Sequence, residues 1–178
     1  MTASHRAARW IPGGSALVTV LLGCALALTG STDTGTAWFA VRVYGREEPV
    51  LSVPVEVGDR IELSHTHSVH RRPVHEVYSV SPSAGLAMEE LRADAHGANL
   101  PSGPETVDGV TSTFVREDGG YRVEHHGRPL GTVRMVVGTP DVDHRLTLGG
   151  REIRLLDLVD PRARVELFVQ THPGVRAM

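Results

Sequence analysis

From Trp38 onward the chain breaks into short runs rich in Val, Ile, Leu and aromatic residues, each closed by a turn signal. The runs are WFAVRVY, VLSVPV, RIELSHTHSV, VHEVYSV, TSTFV, YRVEH, GTVRMVV, HRLTL, REIRLL and RVELFV. Between them stand GREEP, VGD, RRP, SPSAG, EDGG, HHGRP, GTPDVD, GG and DPRA. Most runs alternate apolar and polar positions, the two-residue period of a strand with one buried and one solvated face. Many short strands at close spacing predict an all-β chain, a single antiparallel β-sandwich or barrel-like domain. The clearest hairpin is DHRLTLGGREIRLLDL. There Gly149-Gly150 supplies the positive φ values of a two-residue turn, and Leu146 and Leu148 are expected opposite Ile153 and Leu155. One segment reads two ways. GLAMEELRADAHG spaces Leu86, Met88, Leu91 and Ala95 as a helix ending at Gly97 would, yet it suits a strand followed by a loop equally well. GANLPSGPETVDG, rich in Gly and Pro, is expected to be an irregular loop.

The N-terminus follows another pattern. MTASHRAARW carries two Arg, and IPGGSALVTVLLGCALALTG follows without a charge, the layout of an export signal or signal-anchor. Ala25-Leu26-Ala27 would suit cleavage near Leu28, and Leu21-Leu22-Gly23-Cys24 has the outline of a lipobox that would lipidate Cys24. Ile11 to Leu28, at 18 residues, is close to the length of a spanning helix. Residues 1–30 are therefore expected to be a signal peptide or membrane anchor, and 36–172 a single β-rich domain. That domain would face away from the cytoplasm, membrane-anchored if the segment is kept, secreted or periplasmic if it is cleaved.

Composition narrows the partners. Without its N-terminal segment the chain is about 150 residues, enough for one domain with its own core. From Ser31 onward 16 Arg stand against 21 Asp and Glu, a net charge of −5. Such a domain has no bulk electrostatic reason to bind phosphate backbones or anionic headgroups, so nucleic acid is not an expected partner. Cys24, the single cysteine, lies in the apolar run, which leaves the domain no disulfide and no thiolate metal site.

The candidate chemistry is concentrated in LSHTHSVHRRPVHEVYSV, which holds four of the ten histidines. Strand alternation puts Ile61, Leu63, His65, His67 and Val69 on one face. His65 and His67 could both ligate one zinc, with a third ligand from His75, Glu76 or His96, but the sequence closes no ligand set and no cofactor is assigned. On the following run Val74, Glu76, Tyr78 and Val80 share a face, and Pro73 marks the turn before it. A carboxylate there needs a partner, since burying it unpaired is costly, and pairing of the two runs would bring Glu76 toward His67 or Arg71. The structural reading is a His/Arg/Glu cluster that locks a hairpin; the functional one is a polar pocket for a small anion or a partner, with Arg71 as clamp. Nucleophilic catalysis is not expected. Ser68 beside His67 and Ser64 beside His65 point to opposite faces of their strand, and there is no G-x-S-x-G elbow. HHG at His125–Gly127 is read as a solvated turn and His144 as a strand-start residue.

THSVHRRPVHEVYSV together with HGANLP resembles a bacterial family of unknown function, DUF1850. The matching positions are His67, Ser68, Val69, Arg71, Pro73, Val74, Glu76 and Tyr78, then Gly97, Ala98, Leu100 and Pro101. Asn99 replaces a Gly, which Asn's tolerance of left-handed backbone allows, and His65 stands where the family has an aromatic residue. DHRLTLGGREIRLLDLV and RVELFV fit the family's ending, so the resemblance spans most of Trp38 to Val169. It implies a small exported or membrane-tethered protein encoded near TRAP-type transporters of the TAXI class. The implied role is therefore a non-enzymatic accessory one, contacting the transporter's membrane or solute-binding component. On this reading His67, Ser68, Arg71, Glu76, Tyr78, Gly97, Asn99 and Pro101 form the contact region. The alternative is a metal- or small-anion-binding domain centred on His67, Arg71 and Glu76.

Overall fold

The computed structural model describes residues 37–83, 85–95 and 100–171. The N-terminal apolar segment, with its possible cleavage and lipidation sites, lies outside them, as do His96, Gly97 and Asn99. Thirteen strands follow one another: β1 (Ala37–Val43), β2 (Pro49–Val55), β3 (Arg60–Thr66), β4 (Pro73–Ser81), β5 (Gly85–Ala93), β6 (Thr106–Val107), β7 (Val110–Thr111), β8 (Thr113–Glu117), β9 (Gly120–Gly131), β10 (Val133–Val136), β11 (Arg145–Leu148), β12 (Arg151–Arg154) and β13 (Arg164–Gln170). They build a four-stranded sheet in the order β10-β13-β1-β2 and a seven-stranded sheet in the order β12-β11-β3-β4-β5-β9-β8, with β6-β7 a separate two-stranded one. All pairings are antiparallel, and neither sheet closes into a barrel.

The two sheets share one core. Phe39, Val41, Val165 and Leu167 of the small sheet join Ile61, Leu63, Val74, Leu86, Leu91, Val123 and Leu146 of the large one in a single buried cluster. Each such side chain contributes about 1.5–3 kcal/mol by leaving water. The alternation read from the sequence is the cause: in β3 Ile61 and Leu63 are buried while Arg60 is exposed, and in β4 Val74, Tyr78 and Val80 are buried. The Gly149-Gly150 turn forms as expected, both residues having positive φ, and Leu146 faces Ile153. Leu148, however, faces Arg151. Leu155 has left the strand for a single 3-10 turn (Leu155–Asp157) and is fully buried.

The ambiguous GLAMEELRADAHG segment is strand β5 and not a helix. Its register against β4 slips at one point, where Val77 faces Glu90 and Tyr78 faces Met88, leaving Glu89 as the extra residue of a bulge. A bulge inserts one residue into a two-residue period. Leu86 and Met88 before it, and Leu91 and Ala93 after it, therefore all reach the core. That phase jump is why the apolar spacing imitates a helix. The loop after β5 is less irregular than its Gly and Pro content suggested, since β6 and β7 pair as a small hairpin around Asp108-Gly109, both at positive φ. β5 and β9 also approach closely at one glycine: a Cβ on Gly120 would stand 2.5 Å from the Ala93 carbonyl oxygen and 2.7 Å from Asp94 Cα.

Candidate functional site

The histidine-rich segment is the β3–β4 hairpin and its turn. Across the hairpin Leu63 faces Glu76, Ser64 faces His75 and His65 faces Val74. The turn closes with the His67 N–H donating to the Arg72 carbonyl (2.8 Å) and the Arg71 N–H to the His67 carbonyl (2.9 Å). Inside it the His67 ring, 8% exposed, accepts at Nδ1 from the Val69 and His70 amides, both at 3.2 Å. Nδ1 is thus an acceptor, which places the neutral ring's proton on Nε2. Ser68 lies exposed within this turn.

The turn is tied to the segment before β11. Thr66 N–H donates to the Val142 carbonyl at 2.8 Å, and the His65 and His144 rings pack with centroids 4.8 Å apart. His144 Nδ1 in turn accepts from the Gly138 amide (2.9 Å). Arg71 takes a left-handed φ of 55° and its guanidinium pairs with Asp141. Asp141 also accepts from the Thr139 hydroxyl, and these two bonds hold its carboxyl down at about 2. Burial first, then the neighbouring His144, His67 and His75, lowers His65 to about 4, so it stays neutral across the physiological range.

Glu76 does not pair with His67 or Arg71, as the hairpin alone suggested. Its partner is Tyr78, two residues on along the same face, whose hydroxyl donates to Glu76 Oε2. Leu63 and Leu91 flank it on the two adjacent strands. Burial raises the Glu76 carboxyl above its ordinary range, and the Tyr78 hydrogen bond offsets part of that rise. Tyr78, itself buried, is raised by burial and then by the Glu76 charge. Beyond it in the same cross-strand row lie Met88 and Arg128, joined by an Arg128 Nη2–Met88 Sδ contact of 3.4 Å. The proposed ligand triad therefore does not converge: Glu76 goes to Tyr78, Arg71 to Asp141, and His67 Nδ1 to its own turn. No group of three or more His, Cys, Asp or Glu among the described residues is placed to hold a metal ion, and His65, the other metal candidate, packs on His144.

Sequence reasoning missed His125. The HHG tripeptide is not simply a solvated turn but a bulge within β9, three residues long, with His126 and Gly127 at positive φ. It turns His126 outward, bonded to Thr113 Oγ1 at 2.8 Å, and His125 inward, 2% exposed. Neither ring nitrogen of His125 has a hydrogen-bond partner, and burial lowers its pKa. The signal was available in principle, since Tyr121, Val123 and His125 continue the alternation of the strand. The outer face of the large sheet is different again. A shallow groove of about 730 Å³ lies over it, lined in part by Arg60, Glu62, His75, Glu90 and Arg92, with Glu62 bonded to His75 at 2.8 Å and Glu90 paired with Arg92 at 2.6 Å.

These contacts separate structural from marginal groups. Replacing His67 with Ala strands two turn amides, an expected loss of about 1–2 kcal/mol of unfolding free energy. Arg71→Ala breaks a pair that is about half exposed, and it should cost under about 1 kcal/mol. Urea denaturation of the two variants checks the order; an equal or greater loss for Arg71→Ala would overturn it.

An open two-sheet antiparallel sandwich, with a polar hairpin turn braced against a second loop, is the class of domain these features define. Residues 61–155 match the family model described as Domain of unknown function (DUF1850). That is more than half of the chain, and the protein belongs to this family. No curated protein and no solved structure matches it. Among the described residues no helix is long and apolar enough to cross a membrane.

Proposed function

We propose that this protein is an exported, non-enzymatic accessory domain that assists a solute transporter of the TAXI/TRAP type by contacting its membrane or solute-binding component. The observation that carries the reading is where the reactive-looking groups of the histidine segment end. Glu76 is spent on Tyr78, Arg71 on Asp141, His75 on Glu62, and His67 Nδ1 on two backbone amides. Such contacts rigidify a scaffold and leave recognition to the surface, where Tyr44, Val57, Val69 and Val136 are large apolar side chains more than half exposed. The charge-free run after Arg6 and Arg9 supports export, and the transporter class follows from the family resemblance.

The test is photo-cross-linking of the full chain in its native membranes during active solute uptake, with photoreactive residues on the exposed surface. An adduct with a TRAP-type membrane or solute-binding component is expected. Adducts confined to other proteins, or none at any position, would sink the reading.

A further inference from the structure

The outer face of the small sheet carries a patch whose composition differs from the rest of the domain. Cross-strand register sets Val136 of β10 opposite Arg164 of β13, and Tyr44, just past β1, donates its backbone N–H to the Arg164 carbonyl at 2.8 Å. One row further along, Arg134, Glu166 and Arg42 stand side by side on β10, β13 and β1. Glu166 is almost fully buried between the two arginines, with Arg42 Nη2 at 2.6 Å on one oxygen and Arg134 Nε at 3.0 Å on the other. Arg164 is exposed, and among the described residues no carboxylate pairs with it. The patch thus holds three guanidinium groups and one carboxylate, with two of the three on that carboxylate, in a domain whose overall charge is negative.

Within the first row lies a groove of about 480 Å³, lined by Tyr44, Arg134, Met135, Val136, Arg164 and Val165. Tyr44 is 60% exposed and Val136 53%. β10 is also the edge of its sheet among the described residues, so one side of its backbone has no strand beside it. A four-residue edge with an outward Val flanked by Arg is an acceptor for an added strand: backbone groups supply pairing and alternate side chains supply selectivity.

We propose that this edge and groove are the docking surface for an extended acidic segment of a partner protein, which adds to β10 as a further strand. One of its carboxylates would meet Arg134 across the new pairing and an apolar side chain would pack against Val136, while Arg164, one strand further in on β13, adds positive charge that draws acidic residues to this edge. Charge selects this occupant over a second copy of the chain. Two β10 edges pairing with each other would bring Arg134 close to its own counterpart, and like charges across a strand pair destabilise it. The proposal rests on the accessory reading above and names the partner surface for it.

The probe is a fluorescein-labelled ten-residue peptide alternating Val and Glu, compared with its Val/Lys counterpart, titrated against the full-length protein in detergent. Anisotropy should show saturable binding of the acidic peptide alone, weakening as salt rises. Val136→Asp and Arg164→Glu should each weaken it at least tenfold, with Val107→Asp, on the β6–β7 hairpin, unchanged as the control. Equal binding of the two peptides, or binding indifferent to Val136→Asp and Arg164→Glu, would overturn the proposal. So would sedimentation showing a dimer that Val136→Asp dissolves, because the occupant would then be a second copy. Cross-linking in membranes separates this failure from that of the accessory reading. Transporter adducts from Val57 or Val69 but not from Val136 would remove the docking site and leave the accessory role standing.

Discussion

Leu155→Ala is expected to lower the unfolding free energy by about 2–5 kcal/mol, the range for emptying a fully buried leucine site. For a domain of this size that is a fall in Tm on the order of 10 °C. The residue sits in the 3-10 turn after β12, 0% exposed and part of the core shared by both sheets. Its surroundings cannot easily collapse into the gap. The Leu155 N–H donates to the His144 carbonyl at 3.0 Å, and its own carbonyl accepts from Leu158 and Val159, both at 3.1 Å. Those bonds hold the backbone while the side chain is removed, so the cavity term adds to the lost transfer term. Leu156→Ala, one residue on and only partly buried, is the comparison and should cost less than half as much. Thermal and urea denaturation of both variants decide it; a loss under about 1 kcal/mol for Leu155→Ala would mean that this turn does not plug the core.

The second large effect belongs to Glu76 and depends on pH. Its folded pKa is raised by burial, so between the ordinary value of 4.5 and the raised one the folded state holds a proton that the unfolded state has released. Stability therefore falls as pH rises through that window. The charged carboxylate above it is a standing cost, with the Tyr78 hydroxyl as its hydrogen-bond donor. Glu76→Gln removes the ionisation and keeps an acceptor for Tyr78. It should gain on the order of 1 kcal/mol at pH 8 and little near pH 4. Tyr78→Phe should act in the opposite sense, losing about 1 kcal/mol at pH 8, because it leaves a partly buried carboxylate without its donor.

The histidines oppose this slope at lower pH. His65, held at about 4 against an ordinary 6.5, binds its proton more weakly when folded, so stability rises with pH across that interval. The difference between wild type and Glu76→Gln isolates the carboxyl, because the His65 contribution is common to both. A stability difference that stays flat from pH 4 to pH 8 would show that Glu76 is not the titrating group.

The strands named in the opening pattern are present because alternation is a property of the chain itself. Ile61 and Leu63 must lie on one face of β3 whatever pairs with it, and the Gly149-Gly150 turn needs no distant residue to form. The core face was legible for the same reason. The irregularities were not, and they shape the site. The Glu89 bulge shifts β5 out of phase and made a strand look like a helix, and the His125–Gly127 bulge carries a histidine into the interior. Each is set by the neighbouring strand against which the register slips, which no local window contains.

Glu76 is the instructive case within the site. The sequence placed it on the buried face of β4 and so required a partner, and Tyr78 on that same face was already in view. Strand pairing pointed across the hairpin to His67 and Arg71, because local spacing does not reveal which nearby group bends back to bond. Arg71 itself pairs with Asp141, 70 residues away. By itself, then, the sequence determined an all-β domain, its buried faces, its clearest turn and its family. The tertiary structure decided the partner of each polar group, the inward turn of His125 and the exposed basic edge at β10. Those depend on which distant strands become neighbours, a choice made by burial of the shared core and not by any short stretch of chain.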